Sequence, residues 1–124
     1  MEINMLLVDD EQDIRDSLMY LLELEGYNVY TGSNRVEAEN IVREKDIHFA
    51  ILDYILEDST GIQVAKVLHK INKNIKFMFF SGYSDVSNFK NELGFSLCEV
   101  FLKPIDPGTF LEKVRNVVTK ELLI

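Results

Sequence analysis

The stretch MLLVDDE sets Asp9, Asp10 and Glu11 at the mouth of an apolar run. Asp53 closes the run FAIL, Ser81 closes KFMFF, and Lys103 follows EVFL and precedes Pro104. Carboxylates held within a few ångströms repel, and without a cation at least one has its pKa raised and takes up a proton. A hard divalent ion removes that penalty. Mg²⁺ takes oxygen ligands, keeps several waters and binds through one or two carboxylates plus a phosphate oxygen, which suits an acidic set without His or Cys. Lys103 would add a positive charge and Ser81 a hydroxyl donor, both useful to a phosphoryl group. Asp53 is then a candidate nucleophile as well as a ligand.

Each residue taken alone has a plainer reading. Acids after a strand suit the start of a helix, where backbone N–H groups are unpaired. Ser81-Gly82 suits a turn, and a lysine is usually solvated. The chemistry gains weight only if one architecture delivers all of them to one place.

That architecture is written in the alternation of short apolar runs with helix-period segments. The runs MLLV at 5–8, YNVY at 27–30, FAIL at 49–52, KFMFF at 76–80 and EVFL at 99–102 predict five strands. Ile14, Leu18, Leu21 and Leu22 predict a first helix that Gly26 ends by taking positive φ. Asn34, with Glu37 three residues on, predicts the cap of a second helix burying Ala38, Ile41 and Val42. Val64, Val67, Leu68 and Ile71 mark a third, and SDVSNFKNEL before Gly94 a fourth with a thin apolar pattern. Asp106 and Pro107 open a last helix with an inner stripe of Phe110, Val114, Val117 and Val118.

Five strand–helix repeats imply an α/β fold, a five-stranded parallel sheet with helices on both faces. In such sheets ligands bind at the carboxyl ends of the strands, where Asp9, Asp10, Asp53, Ser81 and Lys103 all fall. The 124 residues are expected to form one domain, 1–124. A formal charge of −8 argues against direct nucleic-acid binding or contact with anionic lipid. No apolar run approaches membrane-spanning length and no secretory signal is visible. The single cysteine, Cys98, reads as a packed thiol in a reduced, cytoplasmic protein.

With these positions in hand, the whole chain resembles the receiver domain of bacterial two-component response regulators. The resemblance rests on VDDE, on Asp53 in AILDYILEDSTG with Gly61 eight residues later, on Ser81 in FFSGY and on the Lys-Pro of FLKPID. It implies a flavodoxin-like (βα)5 receiver fold. It also implies that Asp53 accepts a phosphoryl group from a sensor histidine kinase or phosphotransfer protein. Asp9, Asp10, Asp53 and the backbone carbonyl of Ile55 would hold Mg²⁺, Lys103 would pair with phosphoryl oxygens, and Ser81 would turn inward to bond them. The Lys103–Pro104 bond resembles one that is usually cis. The domain would be a switch, not a turnover enzyme. It would signal through the face formed by the last two helices and the fifth strand, to an output partner or to a second copy in a homodimer.

Val100, Glu57 and the stretch GFSLCEVF before the fifth strand depart from the family pattern. Val100 stands where an aromatic is common, and Phe101 beside it should face the other way, because a strand alternates its faces. Glu57 replaces a common proline. Ile55 and Tyr83, each two residues past a site residue, offer no acid or amide to orient an attacking water, so self-dephosphorylation is expected to be slow. Two other functions fit less of the chain. An aspartate-nucleophile phosphatase of the haloacid dehalogenase type wants a second Asp at position 55, and a phosphorylation-independent pseudo-receiver would not need the intact acidic set. His48 and His69 are expected to be surface or structural histidines, not phosphate carriers.

Overall fold

The computed structural model describes residues 2–82, 91–95 and 97–122. Its strands are β1 Asn4–Val8, β2 Asn28–Gly32, β3 Phe49–Asp53, β4 Lys76–Ser81 and β5 Leu97–Leu102. They form one parallel sheet in the order β2-β1-β3-β4-β5. The helices are α1 Gln12–Leu24, α2 Arg35–Glu44, α3 Gly61–Ile71 and a C-terminal helix Pro107–Leu122. Most of the predicted fourth helix lies outside the described residues, but 91–93 are helical and Gly94 follows at φ +76°.

Side chains of the central strands alternate between two buried clusters, which is why these strands are apolar along their whole length. One cluster joins Leu6, Val8, Ala50, Leu52, Phe77 and Phe79 to α2 and α3 through Ala38, Val42, Val64, Ala65 and Leu68. The other joins Met5, Leu7, Phe49, Ile51, Met78 and Phe80 to α1 and the C-terminal helix through Leu18, Leu22, Phe110, Val114 and Val118. On α3 the buried arc is Ile62, Val64, Ala65 and Leu68, while the predicted Val67 and Ile71 are half-buried at its rim.

Local signals place the helix ends. Gly26 takes φ +93° at the end of α1, and Asn34 accepts from the Glu37 N–H at 2.9 Å. The Glu37 carboxylate reaches back to Ser33 instead of Asn34. Asp106 accepts from the N–H and hydroxyl of Thr109, opening the C-terminal helix. The second strand is displaced from its predicted place. The Tyr27 N–H still bonds Leu22 in the turn that closes α1, so the ladder begins at Asn28 and runs on to pair Gly32 with Val8. The fifth begins two residues early, at Leu97, because a register irregularity beside Phe77 and Met78 lets this edge strand gain a pairing.

The strand order reverses between β1 and β3, whose ends are paired at Val8 and Leu52. Loops leave that point toward opposite faces and open a crevice there.

Candidate functional site

Asp9 leaves β1 at the crevice with 0% of its surface exposed, and nearly every polar group it owns is committed. Its N–H donates to Gly32 O at 3.2 Å, its carbonyl accepts from the Arg15 guanidinium at 2.8 Å, and Oδ1 accepts from the Glu11 N–H at 2.9 Å. Oδ2 is buried without a partner. Burial pushes the Asp9 pKa up, the Glu11 N–H opposes that, and the Asp53 charge adds to the rise. Glu11 occupies the N-cap of α1 but makes no side-chain capping bond, so helix capping does not account for it. Asp10 is exposed beside Asp9. Oxygens of Asp9, Asp10 and Asp53 lie within 4.8 Å of one another.

Asp53 ends β3 at 5% exposure, next to β1 on one side and opposite Phe80 of β4 on the other. Lys103 Nζ stands 3.0 Å from its Oδ2. Burial disfavours the charged ammonium, but the bond and charge of Asp53, with Asp9 and Glu11, outweigh it and raise the Lys103 pKa. Ser81 ends β4 at 1% exposure, and its carbonyl accepts from the Lys103 N–H at 2.9 Å, joining the fourth and fifth strand ends. The Lys103–Pro104 bond is cis.

Behind Asp53 the chain is braced. The Tyr54 N–H donates to Phe80 O at 2.8 Å and its carbonyl accepts from the Gly61 N–H at 2.7 Å. A Cβ on Gly61 would run into the Asp53 carbonyl oxygen and stand 3.1 Å from its carbonyl carbon, so only glycine fits there. Ile55 bridges to Thr60 in the loop between and is 55% exposed. The acids and the lysine thus leave three strand ends for one pocket, where carboxylate oxygens of Asp9, Asp10 and Asp53 cluster, Lys103 reaches Asp53 and the buried Asp9 Oδ2 has no hydrogen-bond partner; Ser81 ends the strand between β3 and β5. Residues of this type fit Mg²⁺.

The sequence matches the response regulator receiver domain family over residues 5–115. The chain belongs to that family. Its receiver fold is 26% identical to a response regulator receiver domain protein, CheY-like, from Methanospirillum hungatei JF-1, with a TM-score of 0.87 over 98% of this chain and 97% of that one. It is also 27% identical to the aerobic respiration control protein ArcA of Escherichia coli K12, over 96% of this chain and 50% of ArcA. The sporulation initiation phosphotransferase F of Bacillus subtilis 168 is 26% identical over 98% of this chain and 95% of its own. This receiver therefore spans about half the length of ArcA and nearly all of the sporulation protein. Among the described residues, no helix is long and apolar enough to cross a membrane.

Other residues singled out by sequence fall away from the pocket. Val100 packs on the α2–α3 cluster whereas Phe101 is buried on the opposite face against Phe80 and Phe110, with ring centroids 5.3 and 5.0 Å away. His48 Nδ1 accepts from the Asn4 N–H at 2.9 Å, and His69 stacks on Phe95 at 4.0 Å. Cys98 is half-buried, and burial with the nearby Glu121 pushes its thiol up to about 11, far from reactive. Tyr83 lies outside the described residues. Sequence reading passed over Arg15, whose bond to Asp9 spans only six residues but follows from the path of a turn, not from a periodic pattern.

Proposed function

We propose that this receiver is a Mg²⁺-dependent phosphoacceptor switch, with residues 1–124 acting as one domain. Asp53 attacks the phosphorus of a phosphohistidine on a sensor kinase or phosphotransfer protein. The new bond joins phosphorus to a carboxylate oxygen, and the phosphorus–nitrogen bond breaks with its electron pair left on the imidazole. Asp9, Asp10, Asp53 and the Ile55 carbonyl would hold Mg²⁺, which would supply positive charge to offset that of the carboxylates and the phosphoryl group. Lys103 pairs with a phosphoryl oxygen, exchanging its present bond to Asp53 for one to the added group. Ser81 donates its hydroxyl to a second oxygen. The phosphoryl group carries up to about two negative charges in place of the carboxylate's one, enough for one to three new charge-assisted bonds, on the order of a few kcal/mol for shifting the loops after β4 and β5. The face of β5 and the last helices then meets a downstream partner or a second copy.

What carries this reading is the Asp53–Lys103 contact at 3.0 Å beside the unpartnered Asp9 Oδ2. The phosphotransferase name borne by the Bacillus relative agrees with it. Incubation with acetyl phosphate and Mg²⁺, followed by intact mass, is expected to add one phosphoryl group, and Asp53→Asn is expected to abolish it. No addition to the wild-type chain would turn the reading to a partner-binding module indifferent to phosphate.

A further inference from the structure

Arg15 sits in the first turn of α1, half-buried, with its guanidinium on the Asp9 carbonyl at 2.8 Å. The other side of the same residue is held by Gly32, which accepts the Asp9 N–H. The Glu37 carboxyl is held low first by the Ser33 N–H and hydroxyl, and further by the Arg15 charge.

We propose that Arg15 is a positioning residue for the cation seat, fixing the peptide from which the Asp9 carboxylate hangs so that Oδ2 faces the pocket. This rests on the reading of the acidic cluster as a Mg²⁺ seat. The carboxylate has one oxygen bonded to Glu11 and one without a partner, and a rotation of the Asp9–Asp10 peptide would move a carboxylate that lies within 4.8 Å of those of Asp10 and Asp53. Partners that orient a metal ligand without touching the metal commonly govern affinity in this way.

A competing role for Arg15 is purely electrostatic, and it predicts the opposite sign. A guanidinium this close to the pocket repels a divalent cation, so removing its charge alone would tighten Mg²⁺ binding. Removing an orienting bond would weaken it. The sign of the change therefore separates the two roles.

The test is calorimetric titration of MgCl₂ into the unphosphorylated wild-type chain, Arg15→Met and Arg15→Lys at constant ionic strength, with thermal melts of each. Arg15→Met is expected to weaken Mg²⁺ binding about tenfold. Arg15→Lys, which keeps one donor and the charge, is expected to recover most of that loss. The Mg²⁺ concentration giving half-maximal labelling by acetyl phosphate should move by the same factor, with the rate at saturating Mg²⁺ unchanged. A merely structural role would lower the melting temperature and the saturating rate together without moving that midpoint. Equal or tighter Mg²⁺ binding by Arg15→Met overturns the proposal. Should that variant not fold, Arg15→Gln is read against the same two criteria. A wild-type chain that takes up no Mg²⁺ rejects the seat itself, whereas wild-type binding matched by Arg15→Met rejects only the role given to Arg15.

Discussion

Asp9 is a buried carboxylate with one oxygen satisfied and the other not, and this sets its response to pH. Its folded pKa lies above the ordinary 3.8, so the folded chain without metal binds more protons here than the unfolded chain does. The stability from protonated Asp9 is therefore complete below 3.8 and lost as pH rises through the raised value. At neutral pH with chelator, Asp9→Asn is expected to stabilise the protein by about 1 kcal/mol, because the amide can still accept from Glu11 without carrying a buried charge. Thermal melts from pH 4 to 7 should show the gain over wild type growing with pH, and a variant that melts lower throughout would refute the burial argument. The same variant should lose the thermal shift given by Mg²⁺. Ile55 makes a second residue-scale prediction. It is exposed beside Asp53 and offers no group to orient water, so the aspartyl phosphate should outlast minutes in the purified protein. Ile55→Asn should shorten that lifetime several-fold, followed by intact mass after removal of the phosphodonor.

The elements hold the site through contacts that tolerate little change. The start of α3 abuts the end of β3 so closely that Gly61→Ala forces a Cβ onto the Asp53 carbonyl. Overpacking against backbone is expected to cost about 1 to 3 kcal/mol. Because the displaced atom belongs to Asp53, labelling by acetyl phosphate should slow even where the variant is fully folded. Gly82→Ala is the control: it follows Ser81, but a Cβ there meets nothing within 4 Å, and urea unfolding should differ from wild type by about 0.5 kcal/mol or less. The same scale decides how a switch could propagate. Val100 and Phe101 lie on opposite faces of β5, and Phe101 is locked between Phe80 and Phe110, so no aromatic on this strand is free to swing toward Ser81. Tyr54 offers another route, with its hydroxyl 3.4 Å from Glu92 in the short helical segment before β5.

For the molecule as a whole, an acidic crevice on a chain of formal charge −8 concentrates cations where the sheet order reverses. A ligand that binds only the folded chain stabilises it by mass action. At a Mg²⁺ concentration about a hundred times its dissociation constant the gain is expected to be about 2.7 kcal/mol, seen as a concentration-dependent rise in melting temperature. An equal ionic strength of NaCl should not reproduce it, and if it does, general screening and not a seat explains the effect.

Sequence alone determined the alternation of five strands with helices, the apolar stripes of α1 and the C-terminal helix, the caps at Asn34 and Asp106, and the residue types at the strand ends. Those features are local: period, cap and turn depend on residues a few positions apart. The folded chain decided the rest. It shifted β2 to Asn28–Gly32, because the helix-closing turn kept the Tyr27 N–H. It put β1 beside β3, so that acids forty-four positions apart share one pocket, and it brought Lys103 across from a strand two places away. It also left a single oxygen of Asp9 unpaired and set Arg15 behind it. Strand order, register and the partner of a buried polar atom are set by packing between distant segments, and no window of adjacent residues contains them.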